Sequence, residues 1–282
     1  MQLITSIAQL RATIKRYKQS GETVGFVPTM GNLHAGHLDL VSRAGERTNR
    51  TVVSIFVNPT QFDRQDDLDK YPRTMEADLA KLEEMGVDLV FSPDAKEMYP
   101  HGGLVTQVDI PEISRLLEGS SRPGHFCGVA TVVCKLFNIV QPDVVVFGQK
   151  DFQQLMLIRQ MVADLDMPLE VLAAPTMRET DGLAMSSRNN RLSEEQRQLA
   201  PQLQRVLQHI EIQLSEGDKA FETLESQAIQ ELASLGFKPD YIHICNAQSL
   251  LAATELDKEL VILAAAYLGD IRLIDNIPLQ LA

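Results

Sequence analysis

The stretch TVGFVPTMGNLHAGH, residues 23–37, joins an apolar run without polar alternation to a glycine-bearing polar turn and then to a helical pattern. A strand that is apolar on every residue is covered on both faces, which is the habit of parallel sheets. The same texture returns at TVVSIFV (51–57), VDLVFS (87–92), DVVVFG (143–148) and LEVLAA (169–174). Between these runs, residues 35–48, 73–85, 127–140 and 152–164 carry helical periodicity. The alternation predicts an α/β domain with a Rossmann-like, doubly wound parallel sheet. After Asn190 the texture changes to Glu/Gln/Leu-rich helical patterns (193–215 and 219–235), followed by strand candidates YIHIC (241–245), LVILAAAYL (260–268) and IRLIDNI (271–277). These predict a second, smaller α+β domain. The boundary falls between 176 and 190 and is placed to give domains 1–177 and 178–282. No internal repeat is found.

Composition narrows the function classes. A chain of 282 residues with 44% hydrophobic and 23% charged residues has the make-up of an ordinary globular protein of one large or two modest domains. Its formal net charge of -12 repels phosphate backbones and argues against a nucleic-acid partner. A small anionic ligand remains compatible, since a few convergent cations suffice for it. Cys127, Cys134 and Cys245 are odd in number and form no C-x-x-C pair, which fits a reducing cytoplasm better than a disulfide framework or structural zinc. The longest apolar run, Leu260 to Leu268, is about half of the ~20 residues of a membrane span. Gln2, Gln9, Arg11 and Lys15 stand where a signal peptide would be apolar. A soluble chain with no membrane partner is expected.

Ligands of open parallel sheets bind at the carboxyl ends of the strands, so the segments that follow each run matter most. His34 and His37 stand three apart at a helix start, while Gly31 and Gly36 let the backbone approach a ligand closely. The helix N-terminus makes this a candidate anion site; the alternatives are a capping turn with solvated histidines, or zinc, for which a third ligand is missing. The absence of G-x-x-x-x-G-K-[ST] and of G-x-G-x-x-G removes P-loop kinases and the usual dinucleotide fingerprint. Lys150 and Arg188, on two different loops, could clamp a transferring phosphoryl or adenylyl group, although single cations are commonly just solvated. Asp151 could accept from ribose hydroxyls or cap the next helix. Gln61 and Gln154 can donate to a carboxylate without neutralising it. Segment 178–189, with Gly182 and short polar side chains, reads either as a loop that closes on a ligand or as a static linker with a cap at Ser193.

PTMGNLHAGH (28–37), FVNPTQF (56–62), YPRT (71–74), RPGHF (122–126), FGQKDFQQL (147–155) and DGLAMSSRN (181–189) together resemble the pantothenate synthetase family. His-x-Gly-His alone marks only the wider nucleotidyltransferase superfamily, and Met185-Ser-Ser-Arg188 is similar to that superfamily's mobile loop. The resemblance implies ATP-dependent condensation of pantoate with β-alanine through a pantoyl adenylate, with release of pyrophosphate and AMP. It also implies Mg2+ and a homodimer. It assigns ATP to Met30, Gly31, Asn32, Leu33, His34, Ala35, Gly36, His37, Gly148, Gln149, Lys150, Asp151, Met177, Met185, Ser186, Ser187 and Arg188. Within that set it gives no individual role to Asn32 or Gln149, nor to Cys127, because members vary there. His37, His34, Lys150 and Arg188 are implied as catalytic, with His37 the proton donor and Asp151 at the ribose. Pantoate goes to Gln61, Gln154, Asn58 and Met30. Asp78 is implied as a metal ligand, and Tyr71 and Arg122 near the phosphate or amine side.

The residue types suit adenylation, in which a carboxylate attacks the α-phosphorus and the demand is positioning and charge stabilisation. Gln amides hold the attacking carboxylate without the ground-state stabilisation of an Arg fork. The rival readings are another adenylyl- or cytidylyltransferase on the same fold, or a tRNA-interacting or nucleotide-sensing module without turnover.

Overall fold

A computed structural model describes residues 1–62 and 65–281 of the chain; residues 63, 64 and 282 of the expected domain ranges lie outside it. Six parallel strands form the first sheet: β1 (Gln2–Ile4), β2 (Val24–Thr29), β3 (Arg50–Ile55), β4 (Leu89–Phe91), β5 (Val144–Gly148) and β6 (Glu170–Ala174). Their order is β1-β4-β3-β2-β5-β6. The chain therefore builds outward from β2 through β3 to β4, then returns to lay β5 on the other side of β2, pairing Gly25 with Val144 and Phe26 with Val145. This reversal is the topological switch point, where the carboxyl ends of β2 and β5 open a crevice.

The apolar runs of β2 to β5 are buried almost throughout, as their lack of alternation demands, whereas the edge strand β6 buries only Ala174. On one face Val27, Val53, Val90 and Val146 pack with Val41 and Ala44 of the helix Ala35–Arg47 and with Leu82 of the helix Met75–Glu84. The helix His125–Val140 buries eleven of its sixteen residues, too many for one amphipathic stripe. It starts two residues earlier than its periodicity suggests, after Gly124 at φ +83°. β1 has no counterpart among the apolar runs; with three residues, two of them exposed, it is too short to carry a period.

The second sheet is antiparallel: β7 (Lys238–Asn246), β8 (Glu259–Leu268) and β9 (Ile271–Gln280), in that order. Ile242, Ile244, Ile262, Ala264 and Leu273 share a core with Leu203, Leu207 and Ile210 of the helix Gln202–Ser215 and Leu224 and Leu232 of the helix Phe221–Ser234. The periodic stretch 193–215 is two helices, Glu194–Leu199 and Gln202–Ser215, because Pro201 between them offers no N–H and crowds the preceding turn.

By contacts the chain divides into Met1–Gln149 with Gln153–Pro175, and Thr176–Ala282 with Lys150–Phe152. The short segment carrying Lys150 and Asp151 is grouped with the C-terminal unit, although it follows β5 directly in the chain.

Candidate functional site

At the end of β2 the chain turns through Gly31 at φ +81° and Asn32 at φ +51°. A Cβ on Gly31 would stand 3.1 Å from both Asp78 Oδ2 and Ile55 Cγ2, a tight approach on top of the positive φ that already favours glycine. The turn aims two backbone N–H groups at one carboxylate: Asn32 donates to Asp78 Oδ2 and Leu33 to Asp78 Oδ1, each at 2.8 Å. Thr74 Oγ1 donates to the same Oδ2 at 3.0 Å, and Lys81 Nζ holds the Leu33 carbonyl at 2.6 Å. Asp78 is only 1% exposed. Asp78, implied as a metal ligand, is enclosed in this structure, and both of its oxygens accept hydrogen bonds from the turn or from Thr74. Among the described residues no group of three or more His, Cys, Asp or Glu could hold a metal ion.

The next residues fix the two imidazoles. His34 is the N-cap of the helix Ala35–Arg47; its Nδ1 accepts from Gly36 N at 3.2 Å, and His37 Nδ1 accepts from His34 N at 3.3 Å. The ring centroids lie 4.1 Å apart. An Nδ1 that accepts a hydrogen bond carries no proton, so the neutral ring bears it on Nε2. The capping alternative thus describes both rings: capping fixes their orientation and, in the neutral ring, leaves the proton on Nε2.

At the end of β3 the short turn Pro59–Gln61 is seated on the start of the helix His125–Val140. His125 Nδ1–H donates to the Gln61 carbonyl at 2.7 Å, and Arg122 reaches the same oxygen at 3.5 Å. A Cβ on Gly128 would overlap the Thr60 carbonyl. Gly128→Ala should therefore displace the turn and cost about 2 kcal/mol, as overpacking does. Urea unfolding of the variant measures it, and an unchanged midpoint would show that the turn yields freely. Asn58, expected at pantoate, is 1% exposed and lies behind Gln61. Its Nδ2 donates to Gln61 Oε1 at 3.0 Å and reaches the Gly128 carbonyl at 3.4 Å. Gln61 Nε2 in turn reaches Met30 Sδ at 3.4 Å. Of the paired glutamines, Gln153 is spent on the Ile113 and Leu116 carbonyls and on Glu118 N. The side chain of Gln154, half-buried, makes no hydrogen bond with the described residues.

In the C-terminal unit, segment 177–189 is pinned rather than free. Met185 N donates to the Met177 carbonyl at 2.9 Å, and Glu179 N to the Leu183 carbonyl at 2.8 Å. Arg178 makes a bidentate pair with the buried Asp275, at 2.7 and 2.9 Å. Ser186 Oγ accepts from Arg188 N at 3.3 Å and opens the turn Ser187–Arg191. Ser193 does cap the helix Glu194–Leu199. The loop is thus tied within itself and held to β9 through Arg178, and the part of the static-linker reading that concerns Ser193 describes it. Asn276, next to Asp275, donates to the Lys150 carbonyl at 2.9 Å, so the segment bearing Lys150 is held by β9 too. His125, Gly128, Lys81, Tyr99 and Asn276 were not singled out by the sequence reading; only His125 lies within a quoted motif.

In sequence and fold the chain is similar to known proteins. The family model for pantoate-beta-alanine ligase matches residues 2–278. A pantothenate synthetase of Pseudomonas putida (strain GB-1) is 52% identical over 282 residues, covering all of this chain and 98% of that protein. The crystal structure of pantothenate synthetase from Thermus thermophilus is similar with a TM-score of 0.92 at 44% identity, covering 98% of this chain and 99% of that one. A pantoate-beta-alanine ligase from Francisella tularensis, solved with beta-gamma ATP and beta-alanine, is similar with a TM-score of 0.81 at 36% identity, covering 98% and 97% of the two chains.

Proposed function

Because the chain belongs to the pantoate–β-alanine ligase family, we propose that it joins pantoate to β-alanine with ATP through a pantoyl adenylate. The pantoate carboxylate oxygen forms a bond to the α-phosphorus while the bond to pyrophosphate breaks. The β-alanine amine then forms the C–N bond to the acyl carbon, AMP departs with the oxygen it carries, and the amine gives up a proton. The observation that carries this reading is the polarity of the side chains oriented at the switch point. His34 and His37 accept on Nδ1, and Gln61 accepts on Oε1, so each turns a neutral N–H away from the protein partner that holds it. Neutral donors stabilise charge on a phosphate, and they hold a carboxylate without sequestering its lone pairs in an ion pair.

In this reading Gln61 and Gln154 hold pantoate, with Met30 beside them. His34 and His37 donate to the ATP phosphates. Lys150 and Arg188 supply positive charge as pyrophosphate leaves, Asp151 accepts from the ribose, and Met177 with Met185, Ser186 and Ser187 contacts the nucleotide. Gly148 and Gln149 carry the chain from β5 to Lys150. Asp78 and its neighbours do not fit a protein-held Mg2+; the ion would enter as the phosphate complex of ATP, bound mainly by substrate oxygens. No step is assigned to it. A homodimer in the cytoplasm is part of the same proposal, and no described helix is long and apolar enough to cross a membrane.

The test is an ATP-consumption assay with pantoate, with and without β-alanine. Pyrophosphate should appear with pantoate alone, and AMP release should rise with the amine. AMP release indifferent to the amine would point to another adenylylating activity. Gln61→Ala should raise the KM for pantoate about tenfold, the worth of one good hydrogen bond, with the KM for ATP little changed. Equal effects on both substrates would return Gln61 to a structural role.

A further inference from the structure

Gln amides have two ends of opposite polarity, and which end faces a ligand is set by whatever holds the other. The Asn58 carboxamide is itself held. Tyr99 Oη donates to Asn58 Oδ1 at 2.7 Å, and Thr60 Oγ1 donates to the same oxygen at 3.0 Å. With its oxygen so occupied, Asn58 can present only its NH2 group to Gln61, and it does so at 3.0 Å. Gln61 must then accept on Oε1 and turn Nε2 outward. The contact found there, Met30 Sδ at 3.4 Å, is a weak acceptor that a ligand oxygen displaces at little cost. Tyr99 is 7% exposed, packs 6.1 Å from Phe56 between ring centroids, and has Lys135 Nζ 5.8 Å from its own ring. Burial pushes its phenol above the ordinary range, with a hydrogen bond to Thr60 opposing that in part.

We propose that Tyr99 is a positioning residue which, through Asn58, fixes the polarity of the Gln61 amide, so that this subsite offers a donor and selects a ligand acceptor oxygen. The proposal rests on the reading that Gln61 holds pantoate, and it makes Asn58 a support rather than a contact. Its role is directional: what matters is the order Tyr99 to Asn58 to Gln61 to ligand, with each group donating to the next. Reversing one member reverses everything beyond it.

Asn58→Asp performs that reversal with almost no change of shape. A carboxylate would accept from Tyr99 on one oxygen and from Gln61 Nε2 on the other, turning Gln61 Oε1 toward the substrate acceptor. The KM for pantoate should rise about tenfold or more while the KM for ATP holds, because a donor has become an acceptor. Tyr99→Phe removes the anchoring hydroxyl but leaves Thr60 in place. It should raise the KM for pantoate about threefold, with thermal unfolding monitored alongside. In Asn58→Asp the Tyr99→Phe change should add little, since the direction is already lost. Gln61→Ala, measured in the same series, separates the two claims. If it raises the KM for pantoate and the Asn58→Asp and Tyr99→Phe variants do not, the relay is wrong. If Gln61→Ala itself is silent, the pantoate reading fails and the relay falls with it. KM values for both substrates rising in parallel would show a general loss of structure and overturn the proposal.

Discussion

Asp78→Asn should lower stability by about 3 kcal/mol and leave the Mg2+ dependence of turnover unchanged. The carboxylate receives two backbone N–H groups at 2.8 Å and a hydroxyl at 3.0 Å while 1% exposed. Bonds to a charged acceptor are the stronger kind, and a carboxamide can offer only one oxygen. Its NH2 would then face an amide N–H of Asn32 or Leu33, leaving a buried donor unsatisfied. For a unit of this size the loss corresponds to roughly 6 to 12 °C in Tm. The substitution also separates two roles that a sequence cannot distinguish. A metal ligand would raise the Mg2+ concentration needed for half-maximal turnover and leave the melting temperature nearly intact. A structural acceptor does the reverse, and scanning calorimetry with a Mg2+ titration of the rate reads both.

That ambiguity shows where one-dimensional reading stops. The parallel sheet was legible because double coverage writes itself into each strand as a nearly unbroken apolar run, and β2, β3 and β5 are five or six residues long. β1 was not legible, since three edge residues carry no period. The break at Pro201 was overridden by the strong Leu/Ile periodicity on either side. For the site, His34 and His37 stand out because the segments after strand ends are where ligands bind, whereas Gln61 is an ordinary loop residue until the family resemblance singles it out. Asp78 entered only through the resemblance, as a metal ligand, since nothing local tells a carboxylate that meets a cation from one that meets two amides. Its partners are 46 and 45 residues away, and only the fold makes them neighbours. Tyr99 was invisible for the same reason: its partner Asn58 lies 41 residues earlier, and nothing local marks a tyrosine as an anchor. Arg178 is the converse case. It sat in a segment whose glycine and short side chains suggest mobility, yet its guanidinium is paired with Asp275, 97 residues on.

Replacing His37 by Ala should slow pyrophosphate release about a hundredfold, the usual cost of one preorganised donor to a transition-state oxyanion. The capping geometry sharpens this into a comparison. His37 Nδ1 accepts from His34 N, so His37→Ala loses both the outward Nε2–H and the bond that holds the helix start. His37→Asn keeps an acceptor near Nδ1 but places no donor where Nε2 stands. If the helix cap were all that mattered, Asn would restore the rate; if Nε2–H is the working group, the rate stays low while stability recovers. His34→Ala should behave in parallel, because its Nδ1 is likewise occupied by Gly36 N. The double substitution should cost less than the product of the single effects, since the rings stand 4.1 Å apart and share one ligand in this reading. Single-turnover measurement of pyrophosphate with saturating ATP and pantoate isolates the adenylation step from product release. A wild-type rate in His37→Ala under those conditions would remove the imidazoles from the chemistry and leave them as the cap of the helix Ala35–Arg47.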